Sequence, residues 1–264
     1  MNSRTQIIAT IGPASGTRNV LDDMIRAGMD VARINFSHGT HETDGGYIKN
    51  IQAAAQAAEK RIPIIQDLAG PREKTDEGHR FNTQAQHITE KDLSDLAFGI
   101  ECTVDYVAQS YVGNAADIEA MRAEITKRGG SQRIIAKIER QEAIDNFDSI
   151  AAVADAIMVA RGDLGLAVPI ENIPFIERDL IARSKKIGKP VIVATQMLLS
   201  MVQNGAPTRA EVTDVAYAVI SSADAVMLSE ESALGAHPLE AVAIMERIVA
   251  RAEHAEGSLA INPL

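Results

Sequence analysis

The chain has 264 residues, 46% hydrophobic and 23% charged, with a net charge of −10 and a single cysteine, Cys102. That length and composition suit one large α/β domain, or two small ones, with a real hydrophobic core. The negative balance, with no basic cluster to offset it, argues against a nucleic-acid or membrane surface, so any anionic substrate must be held by a few local cations. One cysteine forms no intrachain disulfide, no apolar run reaches membrane-spanning length, and no signal-peptide pattern is seen; together these point to the cytoplasm.

Strand-like runs of β-branched and apolar residues are predicted at 6–11, 31–36, 62–68, 106–112, 133–139, 156–161, 190–196 and 225–229. Helices are predicted between and after them at 17–27, 43–59, 90–101, 115–127, 141–153, 173–186, 209–221 and 238–253. Thr89 followed by Asp92 reads as a capping box, Pro238 suits a first helical turn, and Gly28, Gly129 and Gly188 stand where helices stop. Strict alternation implies parallel strands joined by right-handed crossovers. Eight such units close into a single (β/α)8 TIM barrel spanning 1–264. An open doubly wound sheet is the competitor, but no Gly-x-Gly-x-x-Gly turn follows the first strand. The connection 69–87 is almost wholly polar and reads as an exposed, mobile loop on the barrel's catalytic face, while 257–264 reads as a frayed end.

Chemistry in α/β folds sits at the C-terminal strand ends, and here those ends are polar. The second strand ends in Arg33, Asn35, Ser37 and His38, the third in Gln66 and Asp67, and the fifth in Lys137 and Glu139. The sixth ends in Arg161, Gly162 and Asp163, the seventh in Thr195 and Gln196, and the eighth in Ser229, Glu230 and Glu231. Lys137 and Glu139 are two apart and so project to one side of their strand. Glu139 with Asp163 makes a pair of hard oxygen donors suited to Mg²⁺ or Mn²⁺, and the absence of Cys/His spacing argues against zinc. Lys137 and Arg33 are the cations for a phosphate or a developing enolate. The Gly162-Asp163 turn suits the start of a short helix whose N–H groups face a carboxylate. Each residue also has a plainer reading: Arg161 as an ion-pair partner, and Asn35 and Ser37 as caps of the following turn.

Six segments carry a resemblance: Ala-Arg-Ile-Asn-Phe-Ser-His-Gly at 32–39, Ile-Ala-Lys-Ile-Glu at 135–139, Met-Val-Ala-Arg-Gly-Asp-Leu-Gly at 158–165, Ala-Thr-Gln-Met at 194–197, Pro-Thr-Arg-Ala-Glu at 207–211 and Asp-Ala-Val-Met-Leu-Ser at 224–229. In this order they closely resemble the catalytic barrel of the pyruvate kinase family, over about residues 4–253. The resemblance implies that Lys137 stabilises the transferring phosphoryl group and the enolate, with Arg33 on the phosphate; Thr195 is counted with these two as a catalytic candidate. It places Mg²⁺ on Glu139 and Asp163, and the phosphoenolpyruvate or pyruvate carboxylate on Gly162, Asp163 and Thr195. It places a monovalent cation on Asn35, Ser37, Asp67 and the Leu68 carbonyl, and assigns Asn35, His38 and Lys74 to the nucleotide side.

The chain also departs from that pattern. The polar loop 69–87 stands in place of the family's lid domain, and the C-terminal regulatory domain is missing. Lys74 stands where the family shows an arginine, Leu234 replaces a lysine and Glu230 a glycine. Lysine and arginine are not interchangeable at bidentate phosphate sites, so the phosphoenolpyruvate half is kept and the ADP half is stripped. Arg72 stands where K⁺-dependent members carry glutamate, and this fixed cation predicts that K⁺ is not required. Three functions stay open: a minimal pyruvate kinase using ADP, a Mg²⁺-dependent lyase or enolising enzyme acting on pyruvate or oxaloacetate, and a non-catalytic phosphoenolpyruvate-binding module. A homodimer through 173–186 and 197–203 is also expected.

Overall fold

The computed structural model describes residues 3–75, 78–82, 85 and 87–255. Its strands are β1 (Gln6–Ile11), β2 (Val31–Asn35), β3 (Ile64–Asp67), β4 (Arg72–Thr75), β5 (Gly78–Phe81), β6 (Tyr106–Gln109), β7 (Arg133–Ile138), β8 (Ala156–Ala160), β9 (Val191–Ala194) and β10 (Ala225–Leu228). Its helices are α1 (Arg18–Ala27), α2 (His41–Ala57), α3 (Glu90–Glu101), α4 (Ala115–Lys127), α5 (Gln141–Asp145), α6 (Phe147–Val153), α7 (Arg161–Ala167), α8 (Ile173–Lys186), α9 (Arg209–Ile220), α10 (Glu230–Ala233) and α11 (Pro238–Ala255). All strands except β4 and β5 pair in parallel and close in the order β1-β10-β9-β8-β7-β6-β3-β2. The chain is a (β/α)8 barrel.

Two apolar layers explain the closure. Ile8, Val31, Ile65, Ala108, Ile135, Met158, Ile192 and Met227 fill the barrel interior. Their strand neighbours, among them Ile7, Ala9, Ile34, Ile134, Val159 and Val193, pack outward with the helices. Strands buried on both faces must be apolar at successive positions, which is why they read as continuous runs. The expected helix ends are present. Thr89 Oγ1 accepts the Asp92 N–H at 3.1 Å while Asp92 Oδ2 accepts the Thr89 N–H at 2.9 Å. Gly129 and Gly188 take φ of 73° and 70°, a left-handed geometry that suits a helix stop.

Three stretches differ from the sequence reading. The polar connection contains an antiparallel hairpin, β4 with β5, pairing Arg72 with Phe81 and Thr75 with Gly78. Polar residues hid it because its anchor is one aromatic: Phe81 lies 5.3 Å from the Tyr111 ring and beneath the Arg140 guanidinium at 4.3 Å. The helix expected at 141–153 is broken at Asn146, whose Nδ2 donates to the Gly113 carbonyl at 2.9 Å, so a side-chain bond displaces the helical path. The short α10 follows β10 where no helix was expected; buried Glu231 accepts the N–H groups of Leu198 at 3.0 Å and Ser229 at 2.7 Å, which ties this turn to the one after β9. The end at 257–264 lies outside the described residues.

Candidate active site

The pleat builds the site. Residues two apart on a strand share a face, so the parity that points Ile8, Val31, Ile65, Ala108 and Ile135 into the barrel also points Thr10, Arg33, Asp67, Ser110 and Lys137 inward, one layer nearer the C-terminal mouth. There they meet. Lys137 Nζ lies 3.1 Å from Asp67 Oδ1, 2.7 Å from Ser110 Oγ and 2.9 Å from Glu139 Oε1. Arg33 donates from Nε to Asp67 Oδ2 at 2.7 Å and from Nη1 to Thr10 Oγ1 at 2.8 Å. Thr10 in turn donates to the Leu228 carbonyl at 2.8 Å. Arg33, Asp67, Lys137 and Glu139 are all buried.

Burial sets the electrostatics, and the partners decide the sign. Burial pushes the Asp67 carboxyl up, but the two cations Arg33 and Lys137 outweigh it and hold it below the usual aspartate value. Burial works against the Lys137 charge, yet Asp67 and Glu139 outweigh it and keep the ammonium protonated beyond the usual lysine range. Glu139 goes the other way. Burial raises it and Asp163 raises it further, while Lys137, whose charge also serves Asp67, compensates only in part. A buried carboxylate left partly uncompensated beside a second carboxylate is a place that attracts a cation.

That gives a test of fit for a divalent ion. Glu139 and Asp163 are hard oxygen donors close enough to interact, and among the described residues no third His, Cys, Asp or Glu joins them. Two carboxylates with the remaining positions left to water and substrate suit Mg²⁺ or Mn²⁺. The monovalent-cation residues fit less uniformly. Ser37 Oγ is buried and has no hydrogen-bond partner among the described residues, which suits a cation ligand. Asn35 Oδ1 accepts the Ser37 N–H at 3.2 Å, Asp67 is committed to Arg33 and Lys137, and the Leu68 carbonyl accepts from Ser110 at 2.8 Å. Arg72 donates from Nε to the Ala69 carbonyl at 2.8 Å and lies near enough to Tyr111 to influence it.

Next to β7, at the end of its neighbour β8, α7 begins at Arg161, so the short helix expected after the sixth barrel strand is present. The Gly162 N–H donates to Thr195 Oγ1 at 2.7 Å. Thr195 and Gln196 have φ of 71° and 57°, a left-handed geometry that a β-branched residue adopts only when its surroundings impose it. Arg161 supplies that constraint. It donates to the Thr195 carbonyl at 2.9 Å and pairs with Glu177 at 3.1 Å and Asp214 at 2.7 Å. His38 is exposed, and the side chain of Lys74 lies outside the described residues.

Sequence reading missed Thr10, Ser110, Tyr111, Glu177 and Asp214. Strand parity was enough to find Thr10 and Ser110, which lie two residues beyond the interior Ile8 and Ala108. Nothing local marks the other three, which reach the site from a turn and from two helices.

A family model for the pyruvate kinase barrel domain matches residues 2–86 and 77–242. The chain belongs to the pyruvate kinase family. Among its relatives, the pyruvate kinase of Bacillus licheniformis is 36% identical over 96% of this chain and 57% of that protein. The enzyme of Dictyostelium discoideum is 35% identical over 97% of this chain and 67% of its own length. That of Thermococcus litoralis is 35% identical over 99% and 72%. The chain therefore spans little more than half the length of the Bacillus relative. That match runs over 336 residues, more than the 264 of this chain, so the relative carries residues within the matched span that are absent here. The two stretches of the family match meet at 77–86, in the region of the β4–β5 hairpin.

Proposed function

We propose that this chain binds phosphoenolpyruvate or pyruvate at the mouth of its barrel and transfers a phosphoryl group between phosphoenolpyruvate and ADP, weakly because the hairpin 72–81 stands in place of a lid. The observation that carries this reading is the Lys137 ammonium, buried between Asp67 and Glu139, with Asp163 close enough to Glu139 to act on it. A fixed positive charge in a dry site stabilises negative charge developing on a transferring phosphoryl group and on an enolate oxygen. Arg33 is pinned through Nε and Nη1, leaving Nη2 for the phosphate. Gly162, Asp163 and Thr195 receive the carboxylate end, with the Gly162 N–H passing from Thr195 to the substrate. Thr195, whose Oγ1 accepts the Gly162 N–H, is counted with Lys137 and Arg33 as catalytic in this reading. Glu139 and Asp163 would hold Mg²⁺ or Mn²⁺, which when bound would supply positive charge against the negative charge of the substrate.

On the nucleotide side Asn35, His38 and Lys74 are what remains for ADP, and this half is the weaker. Turnover proceeds without K⁺: Asp67 and the Leu68 carbonyl are already engaged by protein donors, and Arg72 supplies a fixed cation nearby. Two copies pair through the segments around α8 and 197–203. The exposure of Leu166 (80%), Ile170 (78%) and Phe175 (64%) on adjoining turns supports such a contact. No helix among the described residues is long and apolar enough to cross a membrane.

The test is pyruvate release from phosphoenolpyruvate with ADP and Mg²⁺, read by a coupled dehydrogenase, with Lys137→Ala as control. ADP-dependent release that Lys137→Ala abolishes supports the assignment. Decarboxylation of oxaloacetate without any ADP-dependent turnover moves it to a metal-dependent lyase, and phosphoenolpyruvate binding with neither activity leaves a binding module.

A further inference from the structure

Thr10 stands on β1 directly opposite Arg33 of β2. It is 4% exposed. Its hydroxyl has one proton and two lone pairs, and its neighbours can use them in only one way. A carbonyl cannot donate, so the proton goes to the Leu228 carbonyl of the adjoining β10, at 2.8 Å. A guanidinium cannot accept, so Arg33 Nη1 donates to the same oxygen, also at 2.8 Å. The backbone of Thr10 is fastened as well, its carbonyl accepting from Ser232 Oγ at 2.9 Å. The same construction recurs on another stave, where Ser110 gives its proton to the Leu68 carbonyl at 2.8 Å and accepts from Lys137 Nζ at 2.7 Å. In both places a hydroxyl that could act either way is left as a fixed acceptor beside a buried cation.

We infer that Thr10 is a positioning residue: its hydroxyl, locked as an acceptor, sets the plane of the Arg33 guanidinium so that Nη2 faces the phosphate of phosphoenolpyruvate. This rests on the proposed role of Arg33 and extends it to a group that touches no substrate. Asp67 alone does not set that plane. One bond, from Nε at 2.7 Å, leaves the guanidinium free to swing about it, and the second, from Nη1, stops the swing. The Arg33 side chain is 10% exposed, so an N–H released by loss of Thr10 has little water to turn to, and the guanidinium reorients to satisfy it. Threonine suits the task because a β-branched side chain is stiff at χ1 and keeps its oxygen in place.

Thr10→Val and Thr10→Ser separate the hydroxyl from the shape. Valine keeps the branch and removes the acceptor; serine keeps the acceptor and removes the methyl. The assay is calorimetric titration of phosphoenolpyruvate, and separately of pyruvate, into the full chain with Mn²⁺, with melting curves as the control for folding. Pyruvate carries no phosphate, so a loss confined to phosphoenolpyruvate reads the orientation of Arg33 and not the integrity of the mouth. The expected result is phosphoenolpyruvate affinity reduced about tenfold or more in Thr10→Val, the scale of a hydrogen bond to a charged group, with pyruvate affinity unchanged and Thr10→Ser close to wild type. Should Thr10→Val not fold, Thr10→Ala puts the same question with less bulk. Phosphoenolpyruvate affinity within about twofold of wild type, an equal loss for pyruvate, or a loss that Thr10→Ser shares overturns the inference, and Arg33 stays as the phosphate contact provided Arg33→Gln weakens phosphoenolpyruvate binding. A wild-type chain that binds no phosphoenolpyruvate, or an Arg33→Gln chain that binds it normally, overturns both.

Discussion

Replacing Lys137 by methionine removes a charge while keeping the length of the stem. In the native chain the ammonium stands 2.9 Å from Glu139 and 3.1 Å from Asp67, with the lysine side chain 8% exposed. Asp67 keeps Arg33 at 2.7 Å in the variant, whereas Glu139 keeps, among the described residues, only the Tyr111 N–H. Removing one partner of a buried ion pair costs about 3–5 kcal/mol, and the surviving Arg33 contact puts this case near 3 kcal/mol. For a chain of this size each kcal/mol lowers the melting temperature by about 2–4 °C, so the expected loss is roughly 6–12 °C at neutral pH. The pH dependence has a definite sign. Burial holds the Glu139 carboxyl above its ordinary value of 4.5, and without Lys137 it rises further. The folded variant then binds a proton that the unfolded chain does not, so its stability falls as pH rises from 4.5 through the raised folded value. Melting curves from neutral pH down toward the ordinary glutamate range should therefore show the deficit shrinking on acidification. A loss under about 1 kcal/mol, or a deficit that grows as pH falls, refutes the claim that Lys137 compensates buried carboxylates.

Further outcomes follow from the same geometry. Asp67 is held below its ordinary value of 3.8, so it contributes stability that is full above 3.8 and lost as pH falls through the lower folded value. Asp67→Asn should flatten the acid limb of a melting-temperature profile below about pH 4, and an unchanged limb would contradict the assignment. Arg161→Lys cannot reproduce the fork onto Glu177, Asp214 and the Thr195 carbonyl; a destabilisation of about 2–3 kcal/mol in urea is expected, with a larger fall in turnover because Thr195 loses its constraint. Phe81→Ala should release the hairpin from Tyr111 and Arg140, seen as faster proteolytic cleavage within 72–81 with the rest of the barrel intact. Turnover assayed with and without K⁺ should be equal, and strong stimulation would remove Arg72 as the substitute cation.

The barrel was legible because its physics is repeated. Each stave has to be apolar on both faces, so runs such as Ile134–Ile135–Ala136 and Ile157–Met158–Val159 stand out from the helices around them. The central cluster was legible in part: Lys137, Glu139, Arg33 and Asp67 are charged residues at the ends of apolar runs, and charge there is conspicuous. Neutral members of the same layer, Thr10 and Ser110, give no such contrast. The hairpin was hidden because one ring, Phe81, anchors polar and small residues through a tertiary contact. The break at Asn146 depends on the Gly113 carbonyl, which is remote in sequence. Tyr111 shows the limit most clearly. Its place between Glu139 and Asp163 depends on a left-handed turn and on three strands meeting, none of which is encoded within a few residues of it.

The central claim is that Glu139 and Asp163 hold one divalent ion beside Lys137 in a pocket for a three-carbon acid. Calorimetric titration of phosphoenolpyruvate into the full chain, with Mn²⁺ and then with excess chelator, tests it most directly. Binding with Mn²⁺ that disappears on chelation and in Glu139→Gln, while the barrel remains folded, is the result this account requires. Equal binding in the presence of chelator, or an undiminished response in Glu139→Gln, would contradict it.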